Sequence, residues 1–164
     1  MNALILIAGL PGSGKTTVAR AFAQRSGAAH LNSDVLRKTL GMMGHYTAAD
    51  KAHVYDALLA HTEAALLRGE TVVVDSTFYK EAIRTPYEHL AQKYQIPLFW
   101  VEVCAGEKSL RERLEQPRPD SEANYGVYLA IREQFEPLPD HRLILNTDDL
   151  TPEEAAAKIQ LLIT

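Results

Sequence analysis

Lys15 and Thr16 close the stretch GLPGSGKTT, Gly9 to Thr17, whose residue types and spacing could do chemistry on a phosphate tail. The stretch matches G-x-x-x-x-G-K-[ST] through Gly9, Gly14, Lys15 and Thr16. It follows an apolar run and opens a helical pattern, the context that this motif requires. Phosphates need several backbone N–H groups aimed inward, which a Cβ would obstruct, and this accounts for Gly9, Gly12 and Gly14. The helix N-terminus adds positive potential, the Lys15 ammonium adds a full charge near the β and γ oxygens, and the Thr16 hydroxyl suits Mg²⁺. Pro11, Gly12, Ser13, Gly14, Lys15, Thr16 and Thr17 are therefore expected to hold the phosphates of a nucleotide, with Mg²⁺ beside them. Average residue usage makes a chance match in such a chain about a one-in-a-hundred event or rarer. A plain glycine-rich turn before a helix has no need of that lysine or threonine.

Two acids could complete the chemistry. Asp34 lies in LNSDVLRK, where Ser33 reads as a helix N-cap and Asp34 as a first-turn acid that complements the helix dipole. Beside a phosphate loop it gains a second reading, as general base on an acceptor hydroxyl, and Arg37 one turn on should face the same crevice. Asp75 ends the run TVVVD, where a carboxylate would hold the water shell of Mg²⁺ together with Thr16; its plainer reading is a cap on the next turn. The stretch LRERLEQPRPDS offers Arg111, Arg113 and Arg118. Phosphoryl transfer spreads charge over equatorial oxygens, so a guanidinium closing over them helps the transition state, and Arg118 is the lid candidate. Arg111 has Glu112 and Glu115 as neighbours and reads equally as part of a solvated helix end.

The elements that position these groups alternate in type. ALILIAG (3–9), TVVVDST (71–77), PLFWVEVCA (97–105) and RLILN (142–146) are short apolar runs suited to strands buried on both faces, and GAAH (27–30) is weakly strand-like. Residues 15–26 form a helix ending at Gly27. Residues 47–68 place Val54, Tyr55, Leu58, Leu59, Thr62, Ala65 and Leu66 on one stripe ending at Arg68 and Gly69. The last helix opens TPEEA, with Thr151 as N-cap, Pro152 at N1 and Glu154 completing a capping box, and its apolar face is Ala155, Ile159, Leu162 and Ile163. Strand and helix in repetition predict an α/β doubly wound domain. Residues 115–126 fit neither pattern, because Pro117 and Pro119 exclude a helix interior, and are expected to be a mobile surface element. Ligands of open parallel sheets bind outside the carboxyl ends of the strands, and the phosphate loop, Asp34 and Asp75 each follow such an end.

Composition narrows the function classes. The chain has 164 residues, 46% hydrophobic and 23% charged, with a net charge of −4, which fits one ordinary globular domain spanning 1–164. That charge lacks the footprint of a duplex-coating protein, so any nucleic-acid contact should be local, at Arg37, Lys38, Arg84 and aromatics such as Tyr79. The single cysteine, Cys104, permits no disulfide within the chain, fits a reducing cytoplasm and reads as a small buried hydrophobe. The N-terminus lacks a basic n-region and reads as a strand, and no apolar stretch reaches a bilayer-spanning length. His45, His53 and His61 recur at a spacing that turns successive rings apart on a helix, so no zinc site is expected. A GTPase switch needs D-x-x-G and N-K-x-D where this chain has DSTF and NTDD. An oligomeric AAA-type motor needs a second helical subdomain for which the chain is short.

GLPGSGKTT, SDVLRK, VVVDSTF, RERLEQPR and SEANYGVYLAIREQFEPL together resemble the P-loop kinases related to polynucleotide 5′-kinase and zeta toxin, a group described in general terms as AAA-like ATP-binding kinase domains. The resemblance runs from residue 3 to about 148, with DSTF standing where DATF is commoner. It implies a P-loop NTPase fold, three-layer α/β/α, with a five-stranded parallel sheet in the order 2-3-1-4-5. It also implies roles. The residue matching Asp34 is the general base. Arg37 holds an acceptor-side phosphate or sugar, Arg118 on a lid at about 113–126 contacts the transferred phosphoryl group, and Arg113 lies on the adenine side with the loop after Asn146. Arg84 matches a recurrent arginine whose role stays unassigned.

The sequence thus predicts an ATP- and Mg²⁺-dependent kinase acting on a hydroxyl, with Lys15, Asp34, Arg37 and Arg118 catalytic and Thr16 and Asp75 at the metal. A polynucleotide or nucleotide 5′-hydroxyl is the first acceptor class, and a small metabolite, sugar or sugar nucleotide the second. A reading of another class is an ATP-gated binding module that orders its lid to recruit a partner without transfer.

Overall fold

The computed structural model describes residues 2–117 and 123–164. The central strand β1 (Leu4–Ala8) is buried along its whole length. It is flanked by β3 (Val72–Asp75) and β4 (Leu98–Cys104), with β2 (Ala29–Asn32) and β5 (Leu143–Asn146) at the edges, all parallel, in the order β2-β3-β1-β4-β5. The edges are less apolar and less covered, and Ile144 on β5 is among the exposed large side chains. Register sets Asn32 opposite Asp75 and Cys104 opposite Asn146, so these polar residues gather at the carboxyl end of the sheet.

Alternation along the strands sorts side chains into two layers. Ile5, Ile7, Val73, Val101 and Leu145 pack with Val18 and Phe22 of α1 (Lys15–Ser26) and with Ala155 and Ile159 of α7 (Pro152–Leu162). Leu4, Leu6, Val72, Val74 and Trp100 pack with α3 (Ala48–Leu67) and α4 (Glu81–Tyr94). The expected ends hold: α1 stops at left-handed Gly27, and Thr151 with Glu154 forms the capping box of α7. A second capping box, Thr47 with Asp50, starts α3. On the α3 stripe Val54, Leu58, Thr62, Ala65 and Leu66 are buried, whereas Tyr55 and Leu59 are half-buried. In α7 Ala156 joins the buried face, while Leu162 and Ile163 lie only partly covered at its end.

Three expectations change. The cap of α2 (Ser33–Thr39) is Asn32 and not Ser33, because β2 runs directly into the helix and its last extended residue becomes the cap; Asn32 Oδ1 accepts from Val35 N at 2.8 Å. Ser33 is the first helical residue, and its hydroxyl meets Ser76 Oγ at 3.1 Å. Second, the irregular stretch ends early: after α5 (Glu107–Leu114), helix α6 (Tyr125–Gln134) takes in Tyr125 and Gly126, capped by Asn124. Arg118 and most of the proline-punctuated stretch beyond Pro117 lie outside the described residues. Third, Cys104 is half-buried, with its thiol pushed up by desolvation and then by Glu102 and nearby aspartates, an unreactive setting.

The turn from β3 to α4 is built around a buried aromatic. Phe78 has φ 49, a left-handed conformation rare for a bulky side chain. This drives its ring into the core, edge-on to Tyr87 and Trp100 with ring centroids 5.3 and 5.5 Å away. Arg84 secures the turn: it is buried, and its guanidinium donates to the carbonyls of Phe78 and Pro137, each at 2.6 Å, and to that of Glu136. Glu136 N donates to Tyr79 O at 2.8 Å, so the chain leaving α6 is bonded to the chain leaving β3. The recurrent arginine is thereby a structural clamp in this fold.

Candidate functional site

The phosphate loop spans β1 to α1. Gly9, Gly12 and Gly14 have φ of 155, 82 and 100°, which L side chains rarely adopt. Close approach reinforces the requirement. A Cβ on Gly9 would stand 2.3 Å from Val103 O, and one on Gly14 would stand 3.1 Å from Thr147 Cγ2. Where α3 and α7 carry capping boxes, the first turn of α1 has no acid and, among the described residues, no side-chain cap. Its amides and dipole therefore suit an anion, as at other phosphate sites. Lys15 Nζ donates to Leu10 O at 3.0 Å, and the buried hydroxyl of Ser13 has no hydrogen-bond partner among the described residues.

The loop is tied to its surroundings. Arg113 Nη1 donates to Gly12 O at 3.1 Å, Ser13 O at 3.2 Å and Thr147 Oγ1 at 3.0 Å. Thr147 Oγ1 in turn donates to Ser13 O at 2.7 Å. Arg113 thus sits between the phosphate loop and the loop after Asn146. Arg111 forms an i,i+4 pair with Glu115 at 3.9 Å and lies 4.7 Å over the Tyr125 ring, a solvated helix-end arrangement.

Thr16 and Asp75 meet as their spacing in the fold demands: Thr16 Oγ1 donates to Asp75 Oδ1 at 2.9 Å. Asp75 is fully buried. Asn32 Nδ2 reaches Asp75 Oδ1 at 2.6 Å and Thr16 Oγ1 at 3.2 Å, and His30 Nε2 bonds the other carboxylate oxygen, Oδ2. Hydroxyl and carboxylate oxygens are what a hard divalent cation takes, so this corner fits Mg²⁺. Among the described residues no cluster of three or more His, Cys, Asp or Glu forms a separate metal centre.

Asp34 and Arg37 pair one helical turn apart, Oδ1 to Nη1 at 3.1 Å. Their exposures differ: the Arg37 side chain is 6% exposed and that of Asp34 42%, so the carboxylate is open to solvent while the guanidinium is buried. Arg37 also lies 4.8 Å from the centroid of the Tyr46 ring, and its buried Nε has no hydrogen-bond partner among the described residues. Desolvation, then Tyr79, pushes the Tyr55 phenol up to about 12, so it is a neutral hydroxyl at working pH.

Sequence reasoning missed His30 and Asn32. Their signal was a pair of hydrogen-bonding side chains two apart on a strand, hence on one face, leading into the acid-bearing helix. The partners of Arg113 and Arg84 are mostly backbone carbonyls far along the chain and left no signal.

A family model for the AAA domain matches residues 4–138. The chain belongs to this AAA domain family. Solved structures give the AAA domain chain its fold neighbours. A sugar kinase from Janibacter sp. HTCC2649 is 16% identical, with a TM-score of 0.75 over 99% of this chain and 95% of that chain. The Mycobacterium tuberculosis APS kinase CysC, in complex with AMPPNP and APS, is 21% identical, with a TM-score of 0.73 over 99% and 98%. Chaetomium thermophilum Kti12, in complex with ADP-AlF3, is 23% identical, with a TM-score of 0.75 over 98% and 99%. At these identities the likeness is one of fold, the P-loop kinase-like three-layer architecture. No curated protein matches the sequence. Among the described residues of this AAA domain chain no helix is long and apolar enough to cross a membrane.

Proposed function

We propose that the protein is an ATP- and Mg²⁺-dependent kinase that transfers the γ-phosphoryl group to an acceptor hydroxyl. The contact of Thr16 with Asp75 at 2.9 Å carries this reading, because it joins the phosphate loop to a buried carboxylate at the sheet edge where Asp34 also emerges. In this assignment the loop from Pro11 to Thr17 binds the triphosphate and Lys15 neutralises its outer oxygens. Thr16 and Asp75 hold Mg²⁺, which when bound shields the phosphate charge. Asp34 takes the acceptor proton, Arg37 holds an acceptor-side phosphate or sugar, and Arg113 lies on the adenine side. Arg118 serves on a lid at about 113–126 within a single domain.

Two acceptor classes fit. The resemblance to polynucleotide 5′-kinase and zeta toxin supports a nucleotide or polynucleotide 5′-hydroxyl. A small anionic metabolite such as a sugar derivative or sugar nucleotide is favoured by the buried guanidinium of Arg37, which suits one anionic group rather than a backbone track. The sugar kinase and APS kinase among the fold neighbours favour the same class. The test is a transfer assay with labelled ATP and a panel of 5′-hydroxyl oligonucleotides, nucleotides, sugars and sugar nucleotides. A labelled product identifies the acceptor class. Tight ATP binding without transfer across the panel would sink the kinase reading and favour an ATP-gated binding module.

A further inference from the structure

His30 stands on β2 two residues before Asn32, so both side chains leave the same face of the strand. Its Nε2 meets Oδ2 of Asp75, whose side chain is 1% exposed, while the imidazole itself is 19% exposed. A carboxylate only accepts, so Nε2 carries the hydrogen and donates. Thr16 and Asn32 occupy Oδ1 of the same carboxylate.

A carboxylate offers about four acceptor directions, and side chains already fill three of those on Asp75. The carboxylate is also held at both oxygens. With Oδ2 released, the carboxylate plane is free to turn about its last side-chain bond. With Oδ2 bonded, the plane is held and the direction left open is the second one on Oδ2.

We propose that His30 is a positioning residue for the metal: its bond to Oδ2 locks the Asp75 carboxylate so that one lone-pair direction is left for the hydration shell of Mg²⁺. This rests on the metal role proposed above for Thr16 and Asp75. A histidine serving only to satisfy a buried acid would affect folding stability and leave the metal dependence of nucleotide binding alone.

The experiment is calorimetric titration of a non-hydrolysable ATP analogue, with and without Mg²⁺, into wild type, His30→Leu and His30→Gln. Glutamine puts an amide N–H at about the reach of Nε2. Without Mg²⁺, all three should bind alike. The Mg²⁺-dependent gain in affinity should fall by about tenfold or more in His30→Leu and stay within about threefold of wild type in His30→Gln, the scale on which groups behind a metal ligand act. If His30→Leu does not fold, His30→Asn, polar but of shorter reach, should show the same loss. A full gain in His30→Leu or His30→Asn, or a loss in His30→Gln as large as theirs, overturns the proposal alone. A wild-type protein whose nucleotide affinity ignores Mg²⁺ overturns the metal role of Asp75 and this proposal with it.

Discussion

Asn32 holds Asp75 with its amide nitrogen at 2.6 Å and caps α2 with its amide oxygen, so one side chain fastens the helix bearing Asp34 to the buried acid. Aspartate caps helices as well as asparagine but cannot donate. Asn32→Asp should therefore keep α2 and set a second carboxylate against a buried one. Circular dichroism should be unchanged, while denaturant unfolding should show a loss of about 1–3 kcal/mol. Transfer activity should fall with it. An unchanged midpoint would mean that the amide bond to Asp75 contributes nothing.

Asp34 is not the cap, and that sharpens its own test. Asp34→Asn leaves Asn32 in place and keeps a polar first turn. Turnover should drop by about 10² to 10⁴, the usual contribution of a positioned base. ATP affinity by calorimetry should stay as in wild type. Near-normal turnover would return Asp34 to a helix-dipole role.

Arg37→Lys retains the charge and loses the planar fork and the stack on Tyr46. The KM for the acceptor should rise about tenfold or more, equivalent to losing one charged hydrogen bond of about 1.5–3 kcal/mol, while the KM for ATP holds. Equal rises in both would argue for a general packing defect.

Gly9→Ala forces a Cβ to 2.3 Å from Val103 O at a φ of 155°. Overpacking of this kind costs about 1–3 kcal/mol, and here the obstacle is backbone, which cannot rotate away. Thermal unfolding of the nucleotide-free protein should drop, and nucleotide should restore little of it because the loop itself is displaced.

Arg84→Met should destabilise by about 3 kcal/mol or more, since the carbonyls of Phe78, Glu136 and Pro137 lose a charged donor inside the protein. Urea unfolding measures it. The KM for ATP in the surviving folded protein should change little, because no atom of Arg84 bonds the phosphate loop.

Legibility followed the range of the physics. The strands and the caps at Thr151 and Gly27 came from local pattern, the sheet order came only with the family resemblance, and the structure agrees with both. The gathering of the phosphate loop, Asp34 and Asp75 at the carboxyl edge was expected from the alternation of strands and helices, and the structure sets Thr16 against Asp75 there. What escaped depends on contacts across the chain. Asn32 took the cap from Ser33 because strand and helix abut without a linker. His30 finds its partner only because the register sets β2 beside β3. Arg84 gives its donors to carbonyls and Arg113 gives most of its bonds to carbonyls, which carry no residue identity for a sequence to display.

The tie made by Arg113 and Thr147 has a consequence for how such a protein can diversify. The phosphate loop and the loop after Asn146 are fused into one block by four bonds. The opposite wall, from Asp34 through Tyr46, reaches the Thr16–Asp75 corner through the Asn32 amide and the contact of Ser33 with Ser76. Residues 35–46 make none of those four bonds, so they can be exchanged without loosening the block. Swapping 35–46 between related chains should thus transplant taste for the second substrate while leaving the first untouched.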